Sequence, residues 1–173
     1  MIQGENVVLR PLRIEDSEKM NIWVNDFDIK NSAMIHPFPI SIELEKEFLE
    51  NVVKNTDNKT IYFGIEEKES SKLVGYVKLY SINWIHRFCY FGIIIGDSAA
   101  RGKRLGYEVV KLIINYVFKN LNLKRILLEV LSSNQPAINL YEKVGFEREG
   151  KLKQHAYIKG EYQDVLIFAM SNE

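Results

Sequence analysis

The stretch Phe88–Gly106, FCYFGIIIGDSAARGKRLG, leaves this chain few ways to fold. Phe88 to Ile95 carry no charge and are almost all bulky and apolar. So short an apolar run predicts a strand buried on both faces. Arg101-Gly102-Lys103-Arg104-Leu105-Gly106 then makes a basic, glycine-containing turn. Leu105, Val109, Leu112, Ile113, Tyr116 and Val117 follow at three- and four-residue spacing, the pattern of an amphipathic helix. A strand, a glycine turn and a helix start in that order gather unpaired amide N–H groups and the positive end of a helix dipole at one point. Such a point binds phosphate. Gly102 and Gly106 admit a close approach, and Arg101, Lys103 and Arg104 add charge. The same residues also suit a plain connecting turn with a solvated basic face. Two known phosphate motifs are excluded, because neither G-x-x-x-x-G-K-[ST] nor G-x-G-x-x-G occurs here.

The rest of the chain narrows the partners. Lys+Arg and Asp+Glu both count 23 in 173 residues, so no global field favours nucleic acid or an anionic membrane. Any basic site is local. The length suits one domain, 1–173, with a sizeable core. Cys89 is the only cysteine, which rules out an internal disulfide and reads as a core thiol inside its apolar run. One cysteine and three scattered histidines predict no metal site. The opening MIQGENVVLRPL has no long apolar segment, so a cytoplasmic address without a membrane partner is expected.

In chain order, Val7–Leu12 predicts a short strand and Glu15 to Asn25 a helix with Met20, Trp23 and Val24 as its stripe. Asn31–Ile40, with two prolines, predicts a loop of bulky side chains. Ser41 caps a helix that shares Phe48, Leu49, Val52 and Val53 on one face. Asn55–Lys59 is a polar turn, and Ile61, Phe63 and Ile65 alternate as a strand. Glu66–Lys72 turns into the strand Leu73–Tyr80, and Ser81–Arg87 bridges to the central strand. Beyond the long helix come the strand Arg125–Leu131 and a helix capped by Asn134, with Pro136 in its first turn and Gly145 at its end. Strands follow from Phe146 and over Tyr162–Met170. The order β-α-α-β-β-β-α-β-α-β-β predicts an α/β (α+β) domain: a mixed, mostly antiparallel sheet with helices on both faces.

These residues resemble the GNAT acetyltransferases, which move an acetyl group from acetyl-CoA to an amine. Arg101, Gly102, Lys103, Leu105 and Gly106 fit the family's [Q/R]-x-x-G-x-[G/A] signature, with Arg104 where the family usually has glycine. Asn134-Gln135-Pro136-Ala137 and Leu140-Tyr141-Glu142-Lys143-Val144-Gly145-Phe146 resemble its second signature. Ile82-Asn83-Trp84-Ile85-His86-Arg87, Phe91–Ile95 and Gly160-Glu161-Tyr162-Gln163-Asp164 look most like spermidine and ribosomal-protein N-terminal acetyltransferases. The resemblance implies two central strands that splay apart, with the cofactor's pantetheine arm along the backbone of Ile93, Ile94 and Ile95. It implies pyrophosphate on the amides of Arg101 to Gly106, with Arg104 keeping ordinary helical dihedrals. It also implies a hydrogen bond from Asn134 near the thioester, and leaves room for a homo-oligomer.

The same resemblance makes Tyr141 the general acid. A phenol of pKa about 10 can protonate a thiolate whose conjugate acid is near 8.5. Tyr90 stands where many relatives have a glutamate base, so Glu129 acting through water, His86, and solvent remain as alternatives. The loop holding His36 and Phe38 has no acid, and Lys78 stands where spermidine enzymes tend to have glutamate. His36, Phe38, Trp84, His86 and Tyr90 are therefore expected to line a site for a primary amine of a small molecule, an amino sugar before a peptide. A polyamine or protein N-terminus is the alternative acceptor, and a non-catalytic acyl-CoA-binding regulatory domain is the alternative of another class.

Overall fold

A computed structural model describes residues 1–55 and 57–172. Thr56, in the expected turn Asn55–Lys59, lies outside the described residues. Eight described strands form one sheet in the order β1-β2-β3-β4-β5-β6-β8-β7. They are β1 (Ile2–Gln3), β2 (Val7–Arg10), β3 (Ile61–Glu67), β4 (Lys72–Asn83), β5 (Phe88–Ile95), β6 (Arg125–Leu131), β7 (Glu147–Ile158) and β8 (Glu161–Ser171). Only β5 and β6 pair in parallel; every other neighbour is antiparallel.

Two apolar layers cover the sheet. On one face α4 (Leu105–Asn115) and α5 (Gln135–Val144) pack Val109, Ile113 and Ile138 against Val77, Cys89, Phe91, Ile126 and Leu128. On the other face lie α1 (Ser17–Asn25), α2 (Phe27–Ser32) and α3 (Ile42–Lys54), where Met20, Trp23 and Leu49 meet Tyr62, Tyr76 and Ile94. The mixed, mostly antiparallel sheet and the helices on both faces are as the sequence predicts. Arg10 ties the first strands to α1: buried, it holds Asp16 at 2.8 and 2.9 Å and Glu66 at 2.7 Å.

Several boundaries differ, each for a local reason. The helix α2 falls where a loop begins in the sequence reading; Asp26 caps it by accepting from the N–H groups of Asp28 and Ile29. The strand β4 runs past Tyr80 to Asn83 through an irregular register, with Ser81 at φ 50°. A bulge of this kind extends a ladder that alternation alone would end. The strand β7 is likewise longer than expected and is broken by two register shifts against β8. The end of the long helix is a π-helical turn, Tyr116–Asn120. Among the described residues no helix is long and apolar enough to cross a membrane.

Candidate active site

The strands β5 and β6 stay together only over Phe88, Cys89 and Tyr90. Beyond that point β5 keeps its partner β4 as far as Ile95, and β6 keeps β8 as far as Leu131. The two central strands therefore part, and each turns a free backbone edge to the gap. A Cβ built on Gly75 of β4 would lie 2.1 Å from the Ile94 carbonyl oxygen, so that carbonyl faces β4. Backbone groups alternate along a strand, so those of Ile93 and Ile95 face the gap. Ile94 thus leaves the backbone-pairing set expected from the sequence. Arg101 marks the open side: its Nε donates to the Ile95 carbonyl at 3.0 Å and its Nη2 to that of Gly96 at 3.2 Å. The expectation of burial on both faces is also corrected. Cys89 and Phe91 are buried, but Phe88, Tyr90 and Gly92–Ile95 are only partly covered.

The turn before α4 is a cup of amides. Arg101 and Gly102 form a hydrogen-bonded turn, and among the described residues the N–H groups of Gly102, Arg104, Leu105 and Gly106 have no backbone partner. Gly102 sits at φ +78°, a conformation that suits glycine. Arg104, the N-cap of α4, sits at φ 62°, ψ 10°, in the left-handed region. This overturns the ordinary dihedrals expected for it, and it explains why a glycine suits that position. The chain adopts that conformation to enter α4, whatever the side chain. Of the three cations, Lys103 is held by Glu67 at 2.9 Å and Arg101 by the carbonyls of Ile95 and Gly96, which leaves the Arg104 guanidinium free among the described residues. A β-branched residue fits the left-handed region worse than arginine. Arg104→Val should lower stability by about 1 kcal/mol and weaken CoA binding, while Arg104→Gly should hold CoA within about threefold of wild type. Thermal melting and calorimetry check both.

Where the strands part, side chains from both faces meet. Tyr141 of α5 is 7% exposed, with its ring edge-on to Phe91 and Phe146 at 6.4 and 5.9 Å. Its hydroxyl has no hydrogen-bond partner among the described residues and is not fully enclosed. Burial, with Tyr80 adding, pushes its phenol up to about 12, above the ordinary value assumed from sequence. Tyr80 of β4 is also pushed up to about 12, first by burial and then by the charges of Glu129 and Tyr90. The Tyr80 and Tyr90 rings are 5.5 Å apart. Lys78 places Nζ 4.3 Å from the Tyr80 ring centre, and burial lowers its pKa. Gly92 pairs with Lys78 across β4 and β5, and a Cβ there would meet nothing within 4 Å, so the sheet face between them is open. Tyr80, a residue the sequence reading did not single out, lies among Tyr90, Glu129 and Tyr141. Alternation of Tyr76, Lys78 and Tyr80 on one face of β4 was the available signal.

Trp84, His86, His36 and Phe38, the other anticipated acceptor residues, lie in loops and turns. Trp84 is 46% exposed and donates to the Asn58 carbonyl at 2.8 Å; it borders a cleft of about 430 Å³ with Val52, Val53 and Tyr62. The exposed His86 lies in the turn held by the Asn83 side chain. His36 and Phe38 pack on each other at 5.5 Å, with Phe38 69% exposed and its carbonyl taken by Lys30. Asn134 spends its side-chain oxygen on the Ala137 N–H at 3.3 Å, leaving its amide nitrogen for a ligand. Among the described residues no group of three His, Cys, Asp or Glu side chains could hold a metal ion.

Residues 6–147 match the acetyltransferase (GNAT) domain family. The chain belongs to the GNAT acetyltransferases. It is 33% identical to a spermidine N(1)-acetyltransferase of Vibrio cholerae over 94% of this chain and 91% of that one. The spermidine N(1)-acetyltransferase of Escherichia coli K12 is 30% identical over 96% of this chain and 86% of its own. A crystal structure of the Vibrio cholerae spermidine N-acetyltransferase with CoA and spermine superposes with a TM-score of 0.89 at 31% identity, covering 97% of this chain and 96% of that one. This GNAT protein is an N-acetyltransferase that uses acetyl-CoA, and the reading as a non-catalytic binding domain gives way to an enzyme.

Proposed function

We propose that this acetyltransferase acts on the primary amine of a small molecule other than a polyamine, with amino sugars ahead of peptide N-termini. One observation carries the reading: Lys78 stands half-buried on the face where β4 and β5 leave open space over Gly92. A polycation entering there would meet an ammonium group in a partly dry site, where like charges repel strongly. A sugar ring would meet tyrosine faces and a donor instead.

In this reading acetyl-CoA supplies the thioester. The backbone of Ile93 and the N–H of Ile95, whose carbonyl Arg101 takes, hold the pantetheine arm, and the amides of Gly102 to Gly106 hold the pyrophosphate with Arg104. The Asn134 amide steadies the arm near the reacting end. The Ile93 N–H stabilises charge developing on the thioester oxygen. Tyr141 protonates the leaving sulfur from the gap. Glu129, through water, takes the amine's proton; Tyr90 bounds the amine beside Tyr80. The cytoplasm supplies acetyl-CoA and is the address this implies. The Vibrio cholerae relative is described in a dodecameric form, which supports a homo-oligomer here.

The polyamine reading has its own support, since two spermidine acetyltransferases are 33% and 30% identical to this chain. A side-by-side assay of amino sugars, amino-sugar nucleotides, short peptides, spermidine and spermine decides between them. Spermidine turning over at least tenfold more efficiently than every other acceptor would reject the first reading. Lys78→Glu should raise kcat/KM for spermidine at least tenfold, by replacing a repulsive charge with an attractive one.

A further inference from the structure

Lys78 of β4 is a primary amine that the fold leaves without a partner. Among the described residues no carboxylate forms an ion pair with it. Glu45 of α3, on the same side of the sheet, is 3% exposed and its Oε1 is unpaired, so it does not neutralise the lysine. The Lys78 side chain is half-buried and leans along the strand, with Nζ 4.3 Å from the Tyr80 ring centre. That direction leads to the place where β5 and β6 part. Tyr80 pairs with Tyr90, whose ring is 5.5 Å away, and Tyr90 is the last residue of β5 that pairs with β6. Lys78 itself pairs with Gly92, which sets the two Cα atoms about 5 Å apart. A Cβ on Gly92 would meet nothing within 4 Å, so open space, not packed protein, adjoins the lysine. Side chains alternate along a strand. Gly92 and Lys78 therefore face the side of α1 to α3, while Phe91 faces α4 and α5 with the Tyr141 ring edge-on at 6.4 Å. The Ile93 N–H, next along β5, faces the gap. An amine and a phenol thus approach the gap from opposite faces of the sheet.

We propose that Lys78 is a site of self-acetylation: with no small amine bound, its Nζ attacks the thioester of the enzyme's own acetyl-CoA. This rests on the thioester placement proposed above, beside the Ile93 N–H. The neutral amine adds to the thioester carbonyl carbon. A C–N bond forms, the C–S bond breaks, and the amine's proton leaves through water towards Glu129. Tyr141 gives its proton to the departing sulfur and regains one from solvent. The products are Nζ-acetyl-lysine and CoA, one acetyl group per chain, and no further reactant is needed. Burial lowers the pKa of Lys78, which makes its neutral form easier to reach than that of an exposed lysine. The acetyl group removes the charge that repels polycations on this face, so the modified enzyme takes a wider range of amines.

The test is the purified wild type incubated with excess acetyl-CoA and no amine, followed by peptide mass spectrometry. Lys78 should take up one acetyl group roughly tenfold faster than Lys54, whose side chain is 74% exposed. The step lies within one chain, so under saturating acetyl-CoA the rate should not change when the protein is diluted. Tyr141→Phe should slow labelling of Lys78 about tenfold or more and leave the slow labelling of Lys54 as it was. Wild type aged in acetyl-CoA, and Lys78→Gln, should each turn over spermidine about fivefold faster than the untreated wild type. Lys78→Arg keeps the charge and offers no amine to acylate, so the same treatment should not change its acceptor preference. Labelling of Lys78 no faster than of Lys54, a rate that falls on dilution, or equal labelling in Tyr141→Phe overturns the inference. So does a wild type that acetylates small amines and leaves Lys78 bare, which keeps the acetyl-transfer reading standing. An enzyme that labels Lys78 yet prefers spermidine before labelling supports self-acetylation and rejects the acceptor reading. A wild type that acetylates neither an amine nor the lysine sinks both.

Discussion

Tyr141→Phe should lower kcat about a hundredfold while leaving KM for acetyl-CoA within about twofold. The substitution keeps the ring, and with it the edge contacts to Phe91 and Phe146. The hydroxyl has no protein partner among the described residues, so its loss strands no donor or acceptor and the fold should melt unchanged. What disappears is the phenol's proton. With its phenol pushed up to about 12, Tyr141 stays protonated at every pH where the protein works. The same burial weakens it as an acid relative to a free phenol. It can then serve only a thiolate that shares the dry gap, because desolvation raises the basicity of that sulfur as well. The wild-type rate should therefore show no alkaline decline attributable to this acid below about pH 10. An unaltered kcat in the variant would return Tyr141 to the packing of α5.

What the sequence discloses here is periodicity and punctuation. The run Phe88–Ile95, the glycine turn and the stripe from Leu105 place the gap and the amide cup, because a strand–turn–helix junction is written in adjacent residues. Its backbone conformation is not written there. Arg104 is left-handed because the turn geometry demands it, and an arginine conceals a demand that a glycine would advertise. The uncovered face of β5 is equally hidden, since an apolar run looks the same whether protein or ligand will cover it. Tyr80 and Lys78 face Tyr90 and Gly92 only through the register of β4 on β5, a long-range fact. Glu45 was nearer to legible. It precedes Leu49 by one helical turn and so occupies a core position of the α3 stripe with a charge. Glu15, by contrast, was read into a helix that starts two residues later, a fraying of boundaries that changes nothing at the site.

Gly102→Asp should reduce CoA affinity at least a hundredfold, more than any other single change in the turn. Two separate effects act there, and Gly102→Ala divides them. The residue holds φ +78°, and a Cβ at that point would meet no atom within 4 Å. Alanine therefore clashes with nothing and brings only the left-handed backbone strain, about 1–2 kcal/mol, which should weaken CoA by roughly tenfold if all of it falls on the bound conformation. Aspartate tolerates that backbone better than alanine, so its strain is smaller. What it adds is a negative charge beside the unpaired N–H groups of Gly102, Arg104, Leu105 and Gly106. Its carboxylate can accept those same N–H groups as an Asx turn does, filling the cup from within, and it repels pyrophosphate across a few ångströms. Both actions oppose the ligand and neither unfolds the chain, so the melting temperature should stay near that of the alanine variant. Added salt screens the repulsion but not the occupied amides. Calorimetry with CoA at low and high salt should show the aspartate deficit shrinking without vanishing. If Gly102→Asp binds CoA as tightly as Gly102→Ala, the pyrophosphate does not rest on these amides, and the cup before α4 is only a turn.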